Sequence, residues 1–337
     1  NFAISTATAL VAALTNRLLW TRFIDLEQFK RRVLVLGCGS TASTVNRKMR
    51  RKADRRGIRI VGYIRQGDEQ SCIEKEPTVS LDCPLSEYAQ RNNIDEIVVA
   101  MEERRNNLPQ DELLRCRSMG VRVVDIVDFF EQETGKVLVR HVHPSWFTYS
   151  DGFQRGDANH LGKRLFDVTV SFLLLMVAWP FMLLTVLAIW IEDGFGAPVL
   201  YRQRRVGLNG RIFEVIKFRS MTTSAESDGK ARWETANDAR ITRVGGFIRK
   251  TRIDELPQII NVMAGDMAFV GPRPERPEFV RELSEQIPYF EKRHCVKPGI
   301  TGWAQMNYPY GASLKDSFNK LEFDLYYVKN QSLFLDF

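Results

Sequence analysis

The sequence predicts an α/β protein of two units. A parallel-sheet unit of the nucleotide-binding type comes first, and a second unit enters a membrane through a re-entrant helical hairpin. Three observations predict this. Strand-like and helix-like stretches alternate from Arg31 to Val127, opened by the turn Gly37-Cys38-Gly39-Ser40-Thr41-Ala42. An uncharged apolar run from Val168 to Ile191 has Pro180 at its middle. The stretch Arg249 to Pro274 sets the adjacent carboxylates Asp254 and Glu255 among basic side chains.

Composition bounds the partners. A chain of 337 residues, 44% of them apolar, has room for two full cores. The net charge of +7 calls for an acidic partner: nucleic acid, an anionic membrane surface or a phosphate-rich substrate. With no RNP-type aromatic motif, zinc-finger spacing or basic tail, nucleic acid is not expected. Five scattered cysteines without a CxxC indicate reduced thiols in a cytosolic compartment. His141 and His143 read as strand or surface histidines. The first residue, Asn1, and the last three, Leu335-Asp336-Phe337, suggest a segment of a longer protein.

Residues 1–28 are expected to be the end of a transmembrane helix or an amphipathic lead-in helix. A signal peptide does not fit, because a basic start and a clear cleavage site are missing. The first full unit spans 29–135. Its Arg31 to Leu36 strand leads through G-x-G-x-x-A into a helix over Thr44 to Arg55, the order of a nucleotide-binding βαβ unit. Strands follow at Ile58 to Ile64, Asp95 to Ala100 and Val121 to Val127, with helices at Leu85 to Asn92 and Gln110 to Met119. The second strand runs out into Ile64-Arg65-Gln66-Gly67-Asp68, and no acidic residue stands at its tip to hold a ribose. A Rossmann-like scaffold that regulates or oligomerises is therefore preferred to a working NAD site.

Residues 136–160 are expected to form a linker, with short strands at Val137 to Val139 and His141 to Phe147. The Val168 to Ile191 run is long enough to cross a bilayer at about 1.5 Å per residue. Two features argue for a hairpin instead. Pro180 removes a backbone donor and bends a helix. Basic residues flank both ends, Lys163 and Arg164 before, Arg202, Arg204 and Arg205 after, and the positive-inside rule places both on the cytoplasmic face. The predicted break is at Trp179-Pro180.

Beyond it, Asn209-Gly210 between alternating apolar runs predicts a tight β-hairpin. Its second strand presents Lys217 and Arg219 on one face. Neighbours on a helix diverge by roughly 100°, so one carboxylate of the Asp254-Glu255 pair can face a reacting atom while the other turns to a metal. Carboxylates ringed by arginine suit a diphosphate and a divalent cation; the bland alternative is a solvated helix start with incidental ion pairs. Gly271-Pro272-Arg273-Pro274 fixes the backbone around one arginine. Lys297 to Trp303 reads as a glycine-hinged loop able to close over substrate.

The stretches KFRSM (Lys217 to Met221), IDELPQIINVMAGDMAFVGPRP (Ile253 to Pro274) and KPGITGWAQ (Lys297 to Gln305) resemble, in order, the bacterial sugar transferases: monotopic phosphoglycosyl transferases acting on polyprenyl phosphate. The likeness runs from about Leu161 to the C-terminus. It implies a mostly helical catalytic domain over 161–337, with a re-entrant hairpin at 168–191. It also implies a location on the cytoplasmic face of the bacterial inner membrane, bound to the lipid bilayer. The reaction implied is transfer of a sugar 1-phosphate from a UDP-sugar, glucose or galactose by the family pattern, to undecaprenyl phosphate. By resemblance Asp254 is the nucleophile, forming a phosphosugar aspartate, and Glu255 ligates Mg²⁺. Lys217, Arg219, Arg249 and Arg273 are expected to hold phosphate oxygens. The residues alone leave the roles of Asp254 and Glu255 exchangeable; the family pattern sets their order. Family members often place serine before the hairpin proline, where this chain has Trp179.

Two alternatives stand beside this. A membrane-bound, nucleotide-sensing regulator needs no nucleophile. A nucleotide-sugar dehydratase needs a Tyr-x-x-x-Lys pair, and both Tyr201 to Arg205 and Tyr289 to Arg293 supply arginine instead.

Overall fold

The structure, a computed structural model, describes residues 12, 13, 15, 30–49, 55, 57–65, 71–73, 77–103, 107–150, 157–223, 238, 240–309, 311 and 313–337. Most of the expected lead-in helix and most of the polar stretch Met221 to Ala239 lie outside the described residues. The chain divides into two compact units, Asn1–Thr134 and Gly135–Phe337.

The first unit contains β1 (Arg31–Leu36), α1 (Ser40–Lys48), β2 (Ile58–Ile64), β3 (Thr78–Val79) and α2 (Leu85–Arg91). They are followed by β4 (Glu96–Val99), α3 (Gln110–Ser118), β5 (Arg122–Asp125) and α4 (Ile126–Thr134). The strands form one five-stranded sheet in the order β3-β2-β1-β4-β5, every pairing parallel. Val33, Leu34, Val35 and Leu36 are all fully buried. That is the condition of a strand covered on both faces, and it explains the unbroken apolar run. Leu34, Leu36 and Ile97 pack with Leu85 and Leu113 of the helices. Gly37 has φ 123°, and a Cβ there would stand 2.7 Å from the carbonyl oxygen of Ala100, so only glycine fits.

Most boundaries hold or shift by a single residue, and the larger differences fall in α1 and β5. Helix α1 begins at Ser40 rather than Thr44. Strand β5 ends at Asp125, because the Asp125 carboxylate accepts a hydrogen bond from the Val127 amide (2.9 Å) and turns the chain into α4. This buries Phe129 and Phe130.

The second unit opens with buried Val137, Leu138 and Val139, the Val137 amide donating to the Glu322 carbonyl at 2.9 Å. The two short strands expected here are instead a 3-10 turn, Val139–His141, and helix α5 (Pro144–Tyr149). Pro144 sits at the first helical position, where its missing N–H costs nothing.

Helix α6 (Asp157–Asp193) carries the apolar run. The interruption expected at Trp179-Pro180 is absent, and the helix continues through Pro180. One proline deletes one donor while the bonds on either side persist. Among the described residues α6 is the one helix long and apolar enough to cross a membrane. Phe172, Leu173, Met176, Val177, Trp179, Phe181 and Leu184 are exposed along it.

Both ends of α6 dock onto the same unit. Near its start, Arg164 donates to the carbonyls of Val262 (2.5 Å) and Met263 (2.6 Å), and Asp167 accepts from the Phe269 amide at 2.9 Å. Toward its end, Ile189 is buried with Phe218 and Ile248, and Met182, Val186 and Ile253 pack alongside.

Strands β6 (Leu200–Val206) and β7 (Ile212–Phe218) form the expected antiparallel hairpin, with Asn209 at φ 53° and Gly210 at φ 77° in the turn. Then come α7 (Arg243–Lys250), α8 (Gln258–Ala264), β8 (Ala268–Val270), α9 (Pro277–Gln286), β9 (Gly299–Thr301), α10 (Trp303–Asn307), α11 (Leu314–Asn330) and α12 (Leu333–Asp336). The loop expected to hinge over substrate is held in place. Strand β9 pairs with β8, Gly271 donates to Thr301 (2.9 Å), and Gly299 donates to Pro272 (3.0 Å). A Cβ on Gly299 would stand 2.1 Å from the Gly271 nitrogen. Glycine serves here for backbone contact, not for hinge motion.

Candidate active site

Helix α7 gives the site its frame. Thr242 caps it by accepting from the Gly245 amide, and the Glu192 carboxylate at the end of α6 accepts from the Arg243 (2.7 Å) and Val244 (3.0 Å) amides. Arg249 lies in its last turn. Arg252 then takes a left-handed backbone (φ 60°), unusual for a side chain of this size. This reverses the chain into the 3-10 turn Ile253–Glu255, which carries both carboxylates inward; Asp254 and Glu255 are buried.

The hydrophobic packing beneath explains the placement. Phe218, Ile248 and Ile253 pack in one cluster against α6. Their chain neighbours are Lys217, Arg249 and Asp254. Three candidate site residues are thus set by the same apolar floor.

A second constraint comes from Asn261 in α8. Its buried amide donates to the Glu214 carbonyl at 2.7 Å and accepts from the Ile216 amide at 3.0 Å. It binds β7 as a neighbouring strand would, fixing Lys217 relative to the carboxylate turn.

Within this frame, one oxygen of Glu255, Oε1, meets Lys217 Nζ and Arg273 Nη2 at 3.0 Å each, with Arg252 Nη1 at 3.6 Å. Burial opposes the charge on Glu255, but Arg273 and Lys217 outweigh it and bring its pKa down to about 2. Burial lowers the pKa of Lys217, with Glu255 working against it. Asp254 goes the other way. Burial raises its pKa, only partly countered by Lys217. Its Oδ1 is buried without any hydrogen-bond partner, an exposed cost unless a ligand meets it.

These residues line one cleft of about 1250 Å³, which also takes in Arg249, Arg252, Tyr308 and Lys320. Asp254, Glu255, Lys217, Arg249 and Arg273 are therefore brought together. Arg219 also borders the cleft, but its Nη2 stands 2.6 Å from Asp193 Oδ2, tying β7 to the end of α6. Two neighbouring carboxylates, one ion-paired and one with a free buried oxygen, amid cations, can bind a diphosphate and offer an oxygen nucleophile.

The family described as bacterial sugar transferase matches residues 158–337. The chain belongs to this family. It is 40% identical over 224 residues to the UDP-N-acetylgalactosamine-undecaprenyl-phosphate N-acetylgalactosaminephosphotransferase of Aeromonas hydrophila, covering 66% of this chain and 52% of that one. It is 32% identical over 293 residues to the UDP-glucose:undecaprenyl-phosphate glucose-1-phosphate transferase of Xanthomonas campestris pv. campestris, covering 83% and 59%. A shorter relative, the uncharacterized sugar transferase EpsL of Bacillus subtilis, is 41% identical over 174 residues, covering 52% and 81%. The chain spans little more than half the length of the first two.

The matched region includes every residue of the cleft. Sequence reading passed over Asn261, Arg293 and Asp324. A lone asparagine in the apolar run Ile259 to Met263 is the signal that could have found the first. Arg293 and Asp324 are distant in sequence, and nothing local pairs them.

Proposed function

We propose that this chain transfers a sugar 1-phosphate from a UDP-sugar to undecaprenyl phosphate, yielding the undecaprenyl-diphosphate sugar and UMP. It would act at the cytoplasmic face of the bacterial inner membrane, in the first step of extracellular polysaccharide synthesis. The observation that carries this reading is the pair itself. Asp254 has a buried, unpartnered oxygen, while its neighbour Glu255 is held ionised by Lys217 and Arg273. The names of relatives, which include glucose and N-acetylgalactosamine donors, support the class of substrate.

In the first step Asp254 Oδ1 attacks the sugar-linked phosphorus of the UDP-sugar. The bond from that phosphorus to the bridging oxygen breaks, and UMP leaves with that oxygen. The product is a mixed anhydride between Asp254 and the sugar phosphate. In the second step a phosphate oxygen of the lipid attacks the same phosphorus and the Asp254 carboxylate departs. Two steps let each polyanion meet the protein separately, avoiding direct approach of two anions. Lys217, Arg249 and Arg273 offset charge on the transferring phosphoryl oxygens.

The residues fit a hard divalent cation at Glu255, an ionised oxygen donor that lines the cleft and whose ion pairs all engage Oε1. No group of three or more His, Cys, Asp or Glu side chains gathers among the described residues, so substrate oxygens and water would complete the shell. Glu255 would hold Mg²⁺, which would supply charge neutralisation of the diphosphate.

Helix α6 is proposed to enter and leave the bilayer on one side, bending at Pro180. Docking of both its ends on one unit and its exposed apolar middle support this. For the first unit we infer a Rossmann-like scaffold. Its strand order is that of dinucleotide-binding sheets. Yet the Glu102 carboxylate already accepts the Ser40 amide at the glycine-rich turn, where a phosphate would sit.

The test is UMP release from a panel of UDP-sugars with undecaprenyl phosphate and Mg²⁺, comparing wild type with Asp254→Asn. Release by the wild type alone supports the reading and identifies the sugar. Equal release by both removes Asp254 from the chemistry.

A further inference from the structure

Arg293 and Asp324 form a buried ion pair at the wall of the cleft. They are 5% and 2% exposed, with Nη2 to Oδ2 at 2.8 Å. The same Nη2 donates to the backbone carbonyl of Arg273 at 2.9 Å. The guanidinium also lies over the Phe290 ring, 5.1 Å from its centroid. Arg293 comes from the 3-10 turn Phe290–Cys295 and Asp324 from the middle of α11. A charged nitrogen anchored on two elements thus grips the main chain of the one residue whose side chain reaches Glu255 from the Gly271-to-Pro274 segment.

That grip completes the fixing of Arg273. On its N-terminal side, Gly271 is tied to Thr301 and Gly299 to Pro272. On its C-terminal side, Arg205 Nη1 donates to the Pro274 carbonyl at 2.9 Å and Val206 donates to Glu275 at 3.0 Å. The two prolines flanking Arg273 have no amide to donate, so this stretch has few backbone bonds to fix it, and the one from Arg293 to the Arg273 carbonyl is among them. A buried ion pair has no general stabilising benefit over a well-packed apolar replacement, which in many proteins is neutral or stabilising. A buried pair that also bonds a cleft backbone therefore points to positioning.

We infer that Arg293, fixed by Asp324, is a positioning residue that sets Arg273 against Glu255. The inference deepens the transfer reading and rests on it for its kinetic arm. Arg293 acts through Arg273 and does not itself touch substrate.

The experiment uses the full chain in lipid nanodiscs. Variant one is Arg293→Met with Asp324→Leu, which removes both charges together and so leaves neither buried alone. Variant two is Arg273→Lys, and variant three combines all three substitutions. UMP release is measured for each, and hydrogen exchange is followed at the amides of Gly271, Arg273, Glu275 and Arg276. The Arg293→Met/Asp324→Leu protein is expected to exchange faster at those amides and to lose about a hundredfold in kcat, the scale of a small misplacement. The combined variant is expected to lose no more than the worse of its parents, because both lesions act on one side chain. Losses that multiply, or exchange unchanged at those amides, overturn the inference. Absence of UMP release from wild type sinks the transfer reading, and the exchange result then decides this one alone.

Discussion

Lys217 and Arg273, fifty-six positions apart by their numbering, converge on a single oxygen of Glu255 at 3.0 Å each. Glu255 is therefore the hub of the site's charge, and Asp254 beside it keeps a buried oxygen, Oδ1, without a hydrogen-bond partner. Replacing Glu255 with Gln strands two cations in a partly buried place. Breaking a buried pair by removing one partner costs about 3–5 kcal/mol, and the mean exposure of these groups argues for the lower end. Denaturant unfolding of Glu255→Gln against wild type is expected to show that loss; an unchanged midpoint would mean the cations find solvent instead.

Asn261 holds β7 with two side-chain bonds. Asn261→Leu keeps the branched heavy-atom shape but leaves the Glu214 carbonyl and the Ile216 amide without their partner. Each unmet buried group costs about 1–3 kcal/mol. The variant is expected to be destabilised by about 2–4 kcal/mol and to lose UMP release through displacement of Lys217. Full activity together with full stability in Asn261→Leu would show that β7 is placed by the apolar floor alone.

Hydrogen bonds from Ser40, side chain first and then backbone, lower the pKa of Glu102 from its usual 4.5. A carboxylate with a depressed folded-state pKa contributes stability present above the unfolded value and lost as pH falls through the folded one. Exchange of the Ser40 and Thr41 amides is therefore expected to quicken as pH drops below about 4.5, after correction for intrinsic rates. In Glu102→Gln this pH dependence should vanish. Its persistence would place the titrating group elsewhere.

The proposed entry and exit of α6 on one side of the bilayer has a topological signature. Cysteines introduced at Leu161 and Asn209, in a background lacking the native ones, are expected to react with an impermeant maleimide from the same face of membrane vesicles. Reaction from opposite faces would make α6 a full crossing.

Much of this was legible from residue order. The parallel sheet followed from apolar strands alternating with helices, and the Asn209-Gly210 turn from its dipeptide. The carboxylate pair and its cations were legible because they cluster within motifs. What was not legible depends on single contacts, some between near neighbours and some between residues remote in sequence. Strand β5 yields to α4 because one Asp125 oxygen reaches one amide. The Lys297-to-Trp303 stretch reads as a hinge until the backbone of Gly271 is seen against Gly299. Pro144 starts a helix where alternation suggested a strand. Arg219 shares a strand face with Lys217 and is the weaker phosphate candidate by sequence; its pairing with Asp193 at the end of α6 is visible only in the tertiary fold.

The most direct test of the covalent mechanism is labelling of the protein by a UDP-sugar carrying ³²P in its sugar-linked phosphate, with Mg²⁺ and without lipid acceptor. Wild type is expected to take up label in a hydroxylamine-sensitive bond on the peptide containing Asp254, to release UMP, and to lose the label when undecaprenyl phosphate is added. Asp254→Asn should take up none. Efficient overall transfer by wild type with no label on the protein, and UMP appearing only when both substrates are present, would contradict a nucleophilic Asp254.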